Sequence, residues 1–253
     1  MASGAAALVA GIIDRIEGRP YRTGRPPLPT IEVVETLRFF VREGVQWREL
    51  RATAGRACGS TLRRRLDEWG GTALLRRVHV ALVRMVRAGP EPACWDVVVD
   101  SCSVRAKHGG ELTGPNPTDR GKAGTKYHIV ASTDGIPLAA VPSAATSTIH
   151  ASSRTCCAWP RSSAPPSARC TPTRPTTARR TATSACARAS SPASARSARR
   201  TAPGAVRCVV EHDCAWLLAN KRLDRRQDRL GRVILALLTA ACIFVIANRL
   251  SPF

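Results

Sequence analysis

The segment from His150 to Ala205 lacks the side chains from which a hydrophobic core is built. It contains no Leu, Ile, Val, Met, Phe or Tyr, and no Asp or Glu occurs between Ile136 and Val210. Its residues are mostly Ala, Ser, Thr, Pro, Arg and Cys, which cannot bury enough apolar surface to offset the entropy of ordering the chain. We therefore predict that residues 150–205 are disordered and that any folded domain is built from the residues on either side.

The same composition arises when GC-rich codons are read out of frame. For Cys170 to Ala178, one choice of synonymous codons read with a one-base shift encodes Leu-Tyr-Ala-Asp-Thr-Ala-Tyr-Asp-Ser, a strand-like sequence that contains acids. The codon of its first aspartate straddles Pro172 and Thr173. Since strands are predicted before the segment and an apolar helix after it, the segment interrupts one domain. A compensated pair of frameshifts and a basic disordered linker are both compatible with it.

The charge of the chain favours a polyanionic partner. Lys and Arg number 39 against 18 acids, which gives a formal net charge of +21. Nucleic acid is the simplest partner for such a surface, and a basic surface without a dedicated partner is the alternative. The ten cysteines form no CxxC pair and no signal peptide is visible, so we expect a reducing cytoplasm and neither disulfides nor a zinc site.

The residues up to Gly89 show helical periodicity. A first helix is predicted between Thr30 as N-cap and Gly44 as stop, and a third helix between Thr72 as N-cap and Val86. The apolar face of the first consists of Ile31, Val34, Leu37, Phe40 and Val41.

The helix between these two is rich in arginine. Ser60 is its predicted N-cap, and one face carries Leu62, Leu66 and Trp69. The side chains predicted to point elsewhere are those of Arg63, Arg64 and Arg65. This pattern favours a helix-turn-helix type of DNA-binding region at 1–89, and a small bundle with solvated arginines fits equally well.

From Cys94 onward the pattern changes to strands. The run WDVVVDSCSV predicts a strand with Asp100 near its end, followed by a loop rich in Gly and Pro. The runs YHIVAS and IPLAAVPSA flank Asp134 and Gly135, and an Asp-Gly pair in this setting predicts a β-hairpin. We expect His128 and His212 to be surface or packing residues and His108 to lie in a mobile loop.

The apolar run from Val233 to Ala247 raises the question of a membrane span. It covers about 15 residues, whereas a bilayer requires about 20, and arginines flank it. A buried core helix is therefore the favoured interpretation, and a membrane-anchored basic protein is the weaker one.

Three stretches together resemble the DDE transposases of bacterial insertion sequences, specifically the insertion-sequence-five type of GC-rich actinobacteria. They are VVVDSCSVRAKHGG, TDRGKAGTKYHIVASTDGIPLA and RCVVEHDCAWLLANKRLDRRQDRLGRVILALLTAACIFVIANRL. The resemblance implies an α/β fold with an RNase H-like catalytic domain, preceded by the helical region. Asp100 matches the first catalytic acid and Glu211 the third, while the second has no counterpart in the translated chain.

The resemblance also implies the chemistry. Two Mg²⁺ ions held by Asp100, Glu211 and the missing acid would assist strand cleavage and transfer, while Arg207, Lys221 and Arg222 would contact DNA phosphate. Without a second acid, we expect the chain to bind DNA but to be catalytically inactive. A non-catalytic basic DNA-binding protein is the alternative.

The implied domain boundaries divide the catalytic domain into 90–149 and 206–253, on either side of the segment 150–205. The expected partner is double-stranded DNA, namely the terminal repeats of the element and its target, without a membrane and with a homodimer as an option. Glu211 is predicted in the first turns of a helix that starts near Arg207, with Trp216 and Leu217 turned into the core.

From the residues alone, a structural role for both acids remains an alternative to a catalytic one. An aspartate at the end of a strand is commonly a turn former, and a glutamate at the start of a helix commonly interacts with the helix dipole. The assignment of Asp100 and Glu211 as metal ligands therefore depends on the resemblance.

Overall fold

The computed structural model of the chain describes residues 3–18, 26–88, 96–147, 169–172 and 214–251. The predictions for Arg207, Glu211, His212 and most of 150–205 fall outside these ranges. Within them, helices pack against a mixed sheet, and their buried apolar side chains form one continuous core. The helical region and the sheet therefore share a core.

Four helices precede the sheet, and their buried residues recur every three or four positions, as in amphipathic helices. Their bounds are Gly4–Glu17 (α1), Thr30–Glu43 (α2), Gly59–Gly71 (α3) and Leu74–Val86 (α4). The prediction of helices in this region is confirmed. Gly44 ends α2 as predicted, in a left-handed conformation with φ of 68°. A β-carbon at Gly44 would also lie 2.9 Å from that of Lys221, so a glycine is required there.

The three predicted N-caps are wrong. Pro29 and not Thr30 precedes α2, Cys58 and not Ser60 precedes α3, and Ala73 precedes α4. The hydroxyl groups have other partners: Thr30 donates to the Asp14 carboxylate, and Thr72 lies at the end of α3 with its Oγ1 3.3 Å from the Glu68 carbonyl oxygen. Local hydrogen bonds to carbonyls and carboxylates compete with the capping role of Ser and Thr.

In the described part of the chain the sheet has five strands, with bounds Asp96–Arg105 (β1), Gly114–Pro115 (β2), Ala123–Ser132 (β3), Pro137–Ala144 (β4) and Arg169–Pro172 (β5). Strand β3 pairs antiparallel with β1, β2 and β4, and β5 pairs parallel with β1. The predicted hairpin joins β3 to β4, with Gly135 at φ of 73°. Strand β1 thus lies between an antiparallel and a parallel neighbour.

Asp100 lies in the middle of β1 and not near its end. The strand continues to Arg105, and Asp100 pairs with Ile129 while Arg105 pairs with Gly124. The strand extends through Ser101, Cys102 and Ser103 because their backbone groups pair with β3, which does not depend on the side chains. Backbone pairing with β3 therefore continues both before and after Asp100 along β1.

Strand β5 lies within the segment that the sequence predicts to be disordered. Arg169 pairs with Asp96, and Pro172 pairs with Val99. The prediction is wrong for these four residues, since backbone N–H and C=O groups can pair with β1 without apolar side chains. Pro172 has no N–H to donate, which is tolerated because β5 lies at the edge of the described sheet.

The C-terminal part completes the core. Residues 214–218 are helical (α5), followed by Lys221–Asp224 (α6) and Gly231–Leu250 (α7). Helix α7 contacts α1, α2, α4 and β4. By length and composition α7 could cross a membrane, but 67% of its most apolar stretch is buried within the protein. The interpretation as a buried core helix is confirmed, with a helix longer at both ends than the predicted run.

A buried histidine makes the stability of this fold dependent on pH. His79 on α4 is 4% exposed, and its Nε2 lies 2.7 Å from the Pro137 carbonyl oxygen. Burial lowers the pKa of His79 from 6.5 to about 4. Below pH 6.5 His79 therefore binds a proton in the unfolded chain, whereas in the folded chain it stays neutral down to about pH 4.

We expect the free energy of unfolding to fall by up to about 3 kcal/mol between these pH values through His79 alone. Urea denaturation of the protein and of His79→Gln at about pH 7, 5.5 and 4.5 checks this. The variant should lose less stability on acidification, and equal losses in both proteins would contradict the assignment. His128, which is buried with a pKa lowered to about 4, should retain its own dependence in the variant.

Candidate functional site

Asp100 and the start of the C-terminal segment meet at the centre of the sheet. The Cys214 thiol, on α5, lies 3.8 Å from Oδ2 of Asp100, which is partly buried. Cys102 lies two residues after Asp100 on β1 and therefore faces the same side of the sheet. The structure thus brings a carboxylate and two thiols together.

The two thiols interact with one another. A hydrogen bond with Cys214 lowers the pKa of Cys102, while burial and the negative charge of Asp100 act in the opposite direction. Within the described residues neither cysteine forms a disulfide, and the same holds for Cys58 and Cys242. The local chemistry around Asp100 is therefore that of a partly buried carboxylate beside weak sulfur donors.

This set of donors does not fit a pair of Mg²⁺ ions. Magnesium prefers oxygen ligands, whereas thiolates suit softer metals. In the described ranges, no group of three or more His, Cys, Asp or Glu side chains could hold a metal ion. Asp100 supplies one oxygen-donating side chain, and Glu211 lies outside the described residues.

The parallel pairing of β5 is relevant to the second acid that the resemblance implies. Pro172 pairs with Val99, the residue immediately before Asp100. Neighbouring strands lie about 4.8 Å apart, and parallel strands run toward the same edge of the sheet. The last residue of β5 therefore lies on the strand next to Asp100, opposite the residue that precedes it.

The predicted DNA-binding arginines of α3 fall into two groups. Arg63 and Arg64 are exposed, with the Arg63 guanidinium 5.0 Å from the centre of the Trp47 ring. Arg65 points into the protein, where Nη1 lies 2.9 Å from Glu68 and 3.5 Å from Glu17. The prediction that Arg65 points away from the apolar face is therefore wrong, since it packs on the same face as Trp69.

Lys221 and Arg222 differ in the same way. The Lys221 side chain is 56% exposed and forms an ion pair of 2.9 Å with Glu43. The Arg222 side chain is 2% exposed, and its Nε and Nη2 each lie 2.8 Å from an oxygen of Asp228. Lys221 is exposed enough to contact a phosphate, whereas Arg222 is buried and paired with Asp228. Arg207 lies outside the described residues.

The helix predicted around Glu211 is only partly described. Residues 214–218 are helical, and Leu217 is 2% exposed, as expected. Trp216 is half-buried, with the Arg249 guanidinium 5.2 Å from its ring centre. Of the predicted histidines, His128 is buried with Nε2 2.7 Å from the Ser143 hydroxyl oxygen, and His108 is exposed.

A second basic region lies outside the residues predicted from the sequence to bind DNA. A cleft between α2, the residues around Asn220 and α7 is lined by arginines that include Arg38, Arg42 and Arg249. The spacing of Arg38 and Arg42, four residues apart on one helix, places them on one face, and this signal is visible in the sequence.

Two proteins of Burkholderia cepacia are similar to this chain. The "Insertion element IS402 uncharacterized 16.2 kDa protein" is 31% identical over 99 residues, which are 39% of this chain and 67% of that protein. The "Putative transposase for insertion sequence element IS402" is 39% identical over 61 residues, which are 23% of this chain and 27% of that protein. The chain therefore spans about two thirds of one relative and about a quarter of the other. No protein-family model and no solved structure matches the chain.

Proposed function

We propose that this chain is an insertion-sequence transposase which binds double-stranded DNA. The premise is that the chain belongs to the family of insertion-element proteins that these relatives represent. The assignment to the insertion-sequence-five type and an actinobacterial origin form part of this proposal. The proposal also includes that the protein acts in the cytoplasm, where bacterial DNA is accessible. The position of Asp100 against Cys214 is the observation that carries the catalytic part.

The position of Asp100 supports a catalytic ancestry. It lies at the centre of a strand with neighbours on both sides, which provides a rigid support for a catalytic side chain. Cys214 contacts it, and Glu211 precedes Cys214 by three residues. The covalent chain alone keeps the α-carbon of Glu211 within about 11 Å of that of Cys214. This bound is compatible with the proposal that Asp100 and Glu211 belong to one site.

The parallel strand β5 supports the frameshift proposal. In the shifted reading frame, the aspartate codon straddles Pro172 and Thr173, and Pro172 pairs with the residue before Asp100. An acid at this point of β5 would lie on the strand next to Asp100, at the same edge of the sheet. The RNase H-like arrangement proposed from the resemblance requires acids that converge in this way.

The translated chain is proposed to be inactive in strand cleavage. Transfer of a phosphodiester by two metal ions requires several oxygen ligands that place both ions about 3.5–4 Å apart. The Cys214 thiol contacts Asp100, and no acid occurs between Ile136 and Val210. DNA binding is less demanding, because contacts with phosphate depend on positive charge and not on an assembled catalytic site. The non-catalytic DNA-binding alternative therefore differs from this proposal in ancestry and not in present behaviour.

The DNA-binding part of the proposal predicts a difference between neighbouring arginines of α3. We expect wild-type affinity for duplex DNA to fall steeply with salt, and Arg63→Gln with Arg64→Gln to reduce the salt slope by about 1 to 2. Fluorescence anisotropy at several salt concentrations measures this slope. The matched control is Arg65→Gln, which should lower the melting temperature and leave the slope unchanged, because Arg65 is buried in ion pairs.

Two outcomes would contradict these expectations. An Arg65 variant of unchanged stability whose slope falls as far as that of the double variant would show that Arg65 contacts DNA. A wild-type protein without salt-dependent binding would overturn the proposed DNA-binding function itself.

A further inference from the structure

A cleft of about 440 Å³ opens between α2 and α7, on the side of α5 that carries Trp216. Its volume lies in the range of pockets that hold small organic molecules, about 300–1,000 Å³. The bases of an intact duplex are paired and stacked inside it, so none of them can enter a separate cleft of this size. Any nucleic acid that enters must therefore be unpaired.

The rim of the cleft is positively charged. Among the described residues that line it, the ionisable ones are arginines, namely Arg38, Arg42 and Arg249. The nearest carboxylates to the first two, on Glu35 and Glu43, are each 3.9 Å away. Each of those carboxylates also accepts a shorter hydrogen bond, from the Ser3 N–H and the Lys221 ammonium respectively. The guanidinium groups therefore retain donors for an anion.

The floor of the cleft is apolar and aromatic. Phe244, Val245 and Ala241 come from α7, and Trp216 comes from α5. Arg249 lies against the Trp216 ring and also donates from Nη1 to the Asp134 carbonyl oxygen at 2.7 Å. An arginine fixed in this way next to an aromatic ring matches a ligand that joins an anionic group to a flat ring.

We propose that this cleft binds one unpaired nucleotide of a DNA strand, with its phosphate at the arginines and its base on the aromatic floor. This inference depends on the proposed DNA-binding function and specifies the form of DNA that the protein holds. Base stacking on aromatic side chains together with a positively charged groove is the general mode of single-strand recognition. The cleft supplies both parts within a space that admits one nucleotide.

The test compares a blunt duplex with the same duplex carrying a two-nucleotide single-stranded extension, at the 3′ end or at the 5′ end. We expect the protein to bind one extended duplex about 5- to 100-fold more tightly than the blunt one, the range that stacking of one base produces. Arg42→Gln should reduce this preference and lower the salt slope on the extended duplex by about 1. The Arg42 side chain is 69% exposed, so this variant should fold.

The matched control is Arg84→Gln, which removes the same charge from an exposed position on α4 outside the cleft. It should keep the preference for the extended duplex. A second variant, Trp216→Leu, should abolish the preference while the melting temperature confirms folding. Equal binding of blunt and extended duplexes by the wild type, or equal effects of Arg42→Gln and Arg84→Gln, would overturn the inference and leave the proposed function intact. Loss of all salt-dependent DNA binding by the wild type would overturn both.

Discussion

Asp228→Ala is expected to lower the free energy of unfolding by about 3–5 kcal/mol, because it leaves the buried Arg222 guanidinium without its counter-ion. The Asp228 side chain is 9% exposed, and its two oxygens accept from Nε and Nη2 of Arg222 at 2.8 Å. Oδ1 also accepts from the Trp47 indole N–H at 2.8 Å. One carboxylate thus joins the helical region to the C-terminal segment. Urea denaturation near neutral pH measures the loss.

Lys221→Ala is the matched control for this prediction. Lys221 is next to Arg222 and also forms an ion pair, but the partners Lys221 and Glu43 are 56% and 37% exposed. Exposed ion pairs contribute about 0–1 kcal/mol, so the control should lose less than about 1 kcal/mol. A loss in Asp228→Ala no larger than that of the control would show that Arg222 finds solvent or another partner.

The contrast between Arg63 and Arg65 was available in the sequence. Leu62, Arg65, Leu66 and Trp69 are spaced by three and four residues, so helical geometry places Arg65 among the apolar residues. Adjacency to Arg63 and Arg64 is a misleading signal for Arg65, because neighbouring residues of a helix point in different directions. Glu17, which pairs with Arg65, lies on α1, and a partner so distant in sequence has no local signal.

Local patterns predicted the hairpin at Gly135 and the core helix α7, since each depends on a turn dipeptide or on an apolar run. The contacts that fix the C-terminal segment could not be predicted in this way. Glu111 accepts a hydrogen bond from the Gly231 N–H at 2.7 Å, and Arg226 is buried against Thr113 and Thr125. These partners are far apart along the chain and come together only when the loop after β1 packs on α7.

In the candidate site, too, local sequence patterns predicted some features and tertiary packing decides the others. The strand that carries Asp100 followed from its β-branched run, although the continuation to Arg105 did not, because Ser101 and Ser103 give no strong strand signal. The contact between Asp100 and Cys214 depends on tertiary packing alone. The proposal that Asp100 and Glu211 belong to one site comes from the resemblance. Their spacing in the sequence does not indicate a shared site.

The chain as translated is expected to leave DNA carrying the ends of the element uncut in Mg²⁺ or Mn²⁺. A protein in which the shifted frame is restored across 150–205 should cleave it. The physical reason is the register of β5: Pro172 pairs with Val99, so an acid encoded at Pro172 and Thr173 would enter the sheet beside Asp100. The translated segment places no carboxylate there, and its loss should cost about 10³-fold or more in cleavage rate.

The assay is nicking of end-labelled DNA, with the two proteins compared at equal DNA occupancy so that binding does not enter the result. Asp100→Asn in the frame-restored protein is the matched control: it removes one negative charge, keeps the shape of the side chain, and should abolish cleavage while DNA binding persists. Nicking by the translated chain that Asp100→Ala removes would show that the chain is active without a second acid. Cleavage by the frame-restored protein that survives Asp100→Asn would instead place the reaction away from Asp100, because Asp100 is the acid of β1 that contacts Cys214.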